Sequence, residues 1–145
     1  MIIPAYKQKK KHTCGPAALR MLLAVIGVRK SEESLAKLLK TTKARGTYNT
    51  NFENAAKKLG LDSISKKNAS LSDLRRLKDY LIILNYIDPE WNVGHYAILR
   101  KIDSKYLHVI DPSDGLKKRY LIKDFRKIWR SEFGNFKRWF FAAKK

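Results

Sequence analysis

The change in hydrophobic period near residue 80 constrains the fold more than any other feature of the chain. Before it, apolar residues recur at helical spacing; after it, they alternate or form continuous runs. A helix repeats about every 3.6 residues and a strand every 2, so the two patterns belong to different elements. Helices first and an antiparallel sheet second predict an α+β fold. No repeat or linker interrupts the 145 residues, so we expect one domain over residues 1–145.

The first helix should begin at Cys14-Gly15-Pro16, because proline fits a first turn, where its missing N–H is not needed. Ala17–Ile26 is apolar on nearly every side, which is typical of a central, buried helix, and Gly27 ends it. Further helix starts are predicted at Ser31, at Thr50 with the capping-box partner Glu53, and at Ser70 with Asp73.

The second half of the chain predicts the sheet. Tyr80–Tyr86 is typical of a buried strand, and His95–Ile102 and Tyr106–Asp111 indicate a hairpin around Asp103-Ser104-Lys105. An edge strand at Arg119–Ile122, a short helix at Lys123–Arg130 and a closing strand at Arg138–Ala142 complete the predicted order. A buried helix with a cysteine at its N-terminus then faces a sheet that carries a histidine.

Composition excludes several classes of protein. A single cysteine excludes a disulfide framework and a cysteine-rich zinc site, and 44% hydrophobic residues exclude wholesale disorder. No apolar stretch approaches the roughly 18 residues of a membrane span, and the first residues lack the order of a secretory signal. We expect a soluble, cytoplasmic protein without cofactor or metal. The sequence does not indicate an oligomeric state.

Charge is the unusual part of the composition, with 32 Lys and Arg against 13 Asp and Glu, a net charge of +19. The lysines are dispersed, and only Lys7 and Lys9–Lys11 form a tight cluster. Dispersal favours a solvated surface over nucleic-acid binding. Binding to a polyanion remains an alternative, and a steep loss of affinity with salt would reveal it.

Four residues combine into a site for nucleophilic catalysis. A thiol at a helix N-terminus, as predicted for Cys14, is stabilised as the reactive thiolate. The hairpin brings His95 and Asp111 to the open ends of neighbouring strands, so His95 is a candidate base and Asp111 its orienting acceptor. Gln8, six residues before Cys14, is a candidate oxyanion donor. Each residue alone also has an ordinary structural explanation. Trp91, four residues before His95, is a candidate for the cleft wall.

The motifs Gln8…Thr13–Leu19, Gly94–Leu99 and Val109–Pro112 resemble those of the C39 peptidases, which are papain-like cysteine peptidases known from bacteriocin-exporting ABC transporters. The resemblance implies a papain-like fold in which Cys14 is the nucleophile, His95 the general base and acid, Asp111 its orienting residue and Gln8 the oxyanion donor. It also implies leader peptides cut after a Gly-Gly or Gly-Ala pair, with a separate membrane transporter as a partner.

The chain departs from that family at one position beside the cysteine, because Thr13 stands where Asp or Cys is common. Two alternatives to peptide hydrolysis stay open. One is a module of the same fold that binds a peptide or a polyanion without cutting it. The other is acyl transfer by the same thiol, since an amine can resolve a thioester as well as water can.

Overall fold

An antiparallel sheet lies at the centre of the computed structural model, which describes residues 2–132 and 136–145. Its strands are β1 Asp62–Lys66, β2 Leu81–Asp88, β3 Val93–Ile102, β4 Tyr106–Asp111, β5 Leu116–Leu121 and β6 Phe140–Lys144. The helices of the described ranges are α1 Cys14–Val25, α2 Glu32–Leu38, α3 Thr50–Lys58, α4 Leu71–Arg76 and α5 Ile122–Ile128. The six strands pair in the order β1-β6-β2-β3-β4-β5. The predicted α+β fold class is confirmed.

Strand β2 is buried along its whole length because helices cover both faces of the sheet. Leu81 and Ile83 join one core with α1, α2 and α3, whereas Ile82 and Leu84 join a second core with α4 and α5. This alternation explains why the strand reads as a continuous apolar run in the sequence.

Helix α1 is the central helix that the sequence predicts. Its residues from Gly15 to Leu19 are all buried, and Gly27 ends it in the left-handed region with a φ of 81°. The Ser31 hydroxyl caps α2 by accepting the Ser34 N–H at 3.0 Å. Ser70 and Asp73 form the expected capping box at α4. These local signals therefore set the end of α1 and the starts of α2 and α4 as expected.

The predicted capping box at Thr50 and Glu53 is wrong. Asn49 is the N-cap residue of α3, it has helical backbone angles, and its side chain makes no cap bond. Glu53 instead accepts a hydrogen bond from Ser65. Ser65 lies on β1, a strand that the sequence did not predict, and this cross-element contact takes the carboxylate that a capping box would need.

The remaining differences are shifts of boundaries in the C-terminal half. The edge strand is Leu116–Leu121 instead of Arg119–Ile122, the last helix is Ile122–Ile128 instead of Lys123–Arg130, and the closing strand is Phe140–Lys144 instead of Arg138–Ala142. The shift of the closing strand follows from its pairing, since Phe140 lies opposite Lys66 of β1 and Leu84 of β2.

Candidate active site

His95 and Asp111 meet at one end of the sheet. His95 lies near the start of β3 and Asp111 is the last residue of β4, and antiparallel pairing brings these two ends together. The Nε2 atom of His95 lies 2.6 Å from Oδ1 of Asp111. Both residues are buried, His95 with 6% and Asp111 with 0% of its surface exposed. The structure therefore joins these two predicted residues directly, in a site largely closed to water.

The Asp111 carboxylate has two further donors. The Ser113 N–H donates to Oδ1 at 2.8 Å, and the Lys118 ammonium donates to Oδ2 at 2.9 Å. Burial raises the pKa of Asp111, but hydrogen bonds and charge from His95, together with Lys118 and Ser113, outweigh burial and hold this pKa well below its usual range. Asp111 is therefore a carboxylate at neutral pH, and its orientation is fixed from both oxygens.

Cys14 is the first residue of α1, is half-buried, and lies close enough to His95 to act on the pKa of its ring. Burial lowers the pKa of the His95 imidazole, but hydrogen bonds and charge from Asp111 and Cys14 outweigh burial and raise this pKa from 6.5 to about 10. The ring is therefore protonated at neutral pH. Because Nε2 is bonded to Asp111, Nδ1 is the nitrogen left for the thiol.

Gln8 lies in the arm, by which we mean residues Gln8–Thr13 before α1. Its backbone N–H donates to the carbonyl of Pro112 at 2.7 Å, which ties the arm to the end of β4. Its side-chain Nε2 donates to the carbonyls of Lys10 at 2.7 Å and Lys11 at 3.1 Å. An amide group carries two hydrogens, so both are directed at the arm itself. Among the described residues, the buried Oε1 of Gln8 has no hydrogen-bond partner.

Comparison with known proteins identifies the family. The model of the peptidase C39 family matches residues 3–133. The chain belongs to the C39 peptidase family. A protein of Methanothermobacter thermautotrophicus whose function has not been characterised is 32% identical over 108 residues, which cover 74% of this chain and 70% of that protein.

Solved C39 structures share the fold. The peptidase domain of Streptococcus ComA, a bifunctional ABC transporter of a quorum-sensing pathway, superposes with a TM-score of 0.79 at 27% identity, covering 99% of this chain and 100% of that domain. A double-glycine-motif protease of an AMS/PCAT transporter, solved with its leader peptide, has a TM-score of 0.78 at 19% identity, covering 99% and 93%. The second likeness concerns the fold alone. In the described ranges of the present C39 chain, no helix is long and apolar enough to cross a membrane.

Two parts of the C39 motifs are joined by packing. A Cβ atom at Gly15 would lie 2.6 Å from Oγ1 of Thr47, so a side chain there would displace the loop before α3. The Tyr96 hydroxyl lies 2.8 Å from the carbonyl oxygen of Thr47 and also contacts Oδ1 of Asn49, and these two acceptors share its one hydrogen. The residue after Cys14 is thus connected to the residue after His95 through one loop.

Asp88, the last residue of β2, is a buried carboxylate at the site that sequence reasoning missed. One ligand atom each of Asp88, His95 and Asp111 lies within 4.8 Å of the others. Three such groups can hold a cation, but a metal ion needs about 2 Å to each ligand and would separate the imidazole from the carboxylate. The 2.6 Å contact and the neighbouring Lys118 ammonium fit a hydrogen-bonded charge cluster better.

Lys118 was missed as well, because only the register of β4 and β5 places it near Asp111. Val109 pairs with Lys118 and Asp111 with Leu116, so Lys118 lies diagonally across from Asp111 on the same face. The available signal for this ion pair was Asp111 at the end of a strand, followed in the sequence by the basic residues Lys117–Arg119. Trp91 is 68% exposed in the turn before β3, and its place in the wall of the cleft stays a prediction.

Proposed function

We propose that this chain is a cysteine peptidase in which Cys14 is the nucleophile, His95 the general base and acid, and Asp111 the residue that orients His95. One observation carries the proposal: the half-buried Cys14 at the N-terminus of α1 lies beside an imidazole that is bonded to a fully buried carboxylate. In this arrangement the imidazole can take the proton of the thiol while the carboxylate holds the ring in place, which activates Cys14 as a nucleophile.

The geometry supports a two-step reaction. The Cys14 thiolate attacks the carbonyl carbon of the scissile peptide bond, and the backbone N–H of Cys14 donates to the developing oxyanion. The His95 imidazolium gives its proton to the leaving amine, which departs and leaves a thioester. Neutral His95 then takes a proton from water and the hydroxide attacks the thioester carbon. The C–S bond breaks, the acyl group leaves as a carboxylic acid, and the protonated His95 with the thiolate is restored.

Gln8 is proposed as the second oxyanion donor. Its backbone bond to Pro112 places it beside the end of β4, close to the Asp111 side of the site. Since both amide hydrogens are bonded to carbonyls of the arm, a donor role requires one of them to move to the substrate. The bond to Lys11, at 3.1 Å, is longer than the bond to Lys10, at 2.7 Å, and is the one we expect to exchange.

For the substrate we propose a peptide with two small residues before the cut, such as a double-glycine leader, presented by a separate membrane transporter. The support is the family and the fold shared with transporter peptidase domains. The test is mass spectrometry of cleavage products from leader-like peptides that end in Gly-Gly, Gly-Ala or Leu-Leu before the cut. We expect cleavage after the first two only, and none by Cys14→Ala.

Two results would contradict the proposal. Affinity for these peptides without cleavage, unchanged in Cys14→Ala, would indicate the binding module instead. Transfer of the acyl group to an added amine in preference to water would indicate an acyl transferase.

A further inference from the structure

A single buried carboxylate contacts both ends of the arm. Oε2 of Glu32, the first residue of α2, accepts the backbone N–H of Lys9 at 2.8 Å and lies 2.9 Å from the Thr13 hydroxyl. Glu32 is 2% exposed and Thr13 is 4% exposed. Lys9 follows Gln8 in the chain and Thr13 precedes Cys14. Oε2 of Glu32 therefore contacts the chain neighbours of Gln8 and Cys14, the two proposed oxyanion donors.

Burying this carboxylate is costly, because a charged group loses its hydration unless partners replace it. The other oxygen of Glu32, Oε1, is buried without a hydrogen-bond partner among the described residues. The adjacent Glu33 is exposed in the same first helical turn and gains the same favourable interaction with the helix dipole. Stabilisation of α2 therefore does not require a buried acid at position 32.

The Thr13 hydroxyl completes the connection within the arm. Its oxygen accepts the Lys10 N–H at 3.1 Å and lies 2.9 Å from both the Lys10 carbonyl and Oε2 of Glu32. The Lys10 carbonyl also accepts from the Gln8 amide. Contacts thus run from Glu32 through Thr13 and Lys10 to the Gln8 side chain. Thr13 is also the position at which the chain departs from the family, because a threonine stands there where Asp or Cys is common.

We propose that Glu32 is a positioning residue that, with Thr13, holds Gln8 and Cys14 at the separation that an oxyanion requires. The inference rests on the proposed peptidase function. A misplacement of about 1 Å in a site of this kind costs about 100-fold in rate. The loss should fall on kcat, because the oxyanion exists only along the reaction path and not in the bound substrate.

The test compares Glu32→Ala, Glu32→Gln and Thr13→Val with Glu33→Gln, the matched control in the same turn. We expect Glu32→Ala to lower kcat by about 10- to 100-fold with KM changed less than about threefold. Glu32→Gln keeps one carbonyl oxygen as an acceptor and should recover part of the loss. Alkylation of Cys14 by iodoacetamide builds no oxyanion and should stay within about twofold of wild type in all four variants.

Amide hydrogen exchange provides a measurement that needs no substrate. The arm, and the Lys9 N–H above all, should exchange faster in Glu32→Ala and Thr13→Val than in Glu33→Gln. If Glu32→Ala does not fold, Thr13→Val and Glu32→Gln decide the question. Wild-type exchange and kcat in these variants would overturn the role of Glu32 and leave the peptidase intact. Absence of turnover in wild type would instead refute the proposed function, while exchange still reports on Glu32.

Discussion

Replacing Asp111 with Asn should return the His95 imidazole toward its ordinary pKa. Asparagine keeps the shape of the side chain and an oxygen that can accept from Nε2, but it removes the negative charge. In the wild-type protein, burial lowers the pKa of His95, and Asp111 with Cys14 raises it from 6.5 to about 10. Without the Asp111 charge, burial opposes protonation and one of the two partners that favour it is lost.

The magnitude follows from the size of this change. One pKa unit corresponds to about 1.4 kcal/mol, so the rise from 6.5 to about 10 is worth about 5 kcal/mol for the protonated ring. Asp111 contributes both a hydrogen bond at 2.6 Å and a full charge, and its hydrogen bond is the largest of the causes that raise this pKa. The pKa of His95 should therefore fall well below its wild-type value in Asp111→Asn.

Nitrogen NMR of the imidazole ring measures this pKa without a substrate. The chain has 3 histidines, so His12→Gln and His108→Gln identify the His95 signal. Asp114→Asn is the matched control, because Asp114 shares Lys118 with Asp111 but is 39% exposed at its side chain. The alkaline limb of kcat/KM should move to lower pH in the same variant. Equal His95 titration in wild type and Asp111→Asn would refute the charge argument.

Three further predictions concern single side chains. Cys14→Ala should abolish turnover and alkylation while circular dichroism stays unchanged; residual turnover would exclude Cys14 as the nucleophile. Gln8→Ala should lower kcat by about 100-fold, about 2.7 kcal/mol, with alkylation unaffected, and normal turnover would remove Gln8 from the site. Lys118→Met should raise the pKa of His95 in the NMR titration, because a cation 2.9 Å from Asp111 is lost and the carboxylate then acts on the imidazolium undiminished. A fall in that pKa would show that Lys118 acts only by orienting Asp111.

The sequence predicted most elements because their signals are local. The Ser31 cap, the Ser70–Asp73 capping box and the left-handed Gly27 depend on residues within four positions of each other, and all three are present. Strand β1 was missed because Ile64 is its one apolar residue, 39% exposed, at an edge of the sheet. Its pairing with β6 forms across nearly 80 residues of sequence, a distance over which patterns carry no information.

The same limit applies to the site. His95 and Asp111 could be predicted together because one hairpin connects their strands, although a β-bulge between Leu99 and Lys101, which the sequence did not predict, shifts the register between the turn and the site. Glu32 could not be connected to the arm from sequence, since Lys9 and Thr13 lie 23 and 19 positions before it. The sequence could point to candidate residues that lie in one motif or one hairpin, whereas residues that contact them from other elements needed the structure.

The contacts between Cys14 and His95, the proposed nucleophile and base, show why such support matters. Cys14 belongs to a helix and His95 to a strand, so no strand pairing connects the two residues. The connection is made by side-chain contacts instead. Thr47 occupies the space beside the absent side chain of Gly15, and its carbonyl holds the Tyr96 hydroxyl. Because rigid packing transmits displacement, a change in the loop that carries Thr47 would move Cys14 relative to His95. Gly15, which follows the cysteine, and Tyr96, which follows the histidine, are therefore connected through Thr47. This connection fixes the position of one motif relative to the other.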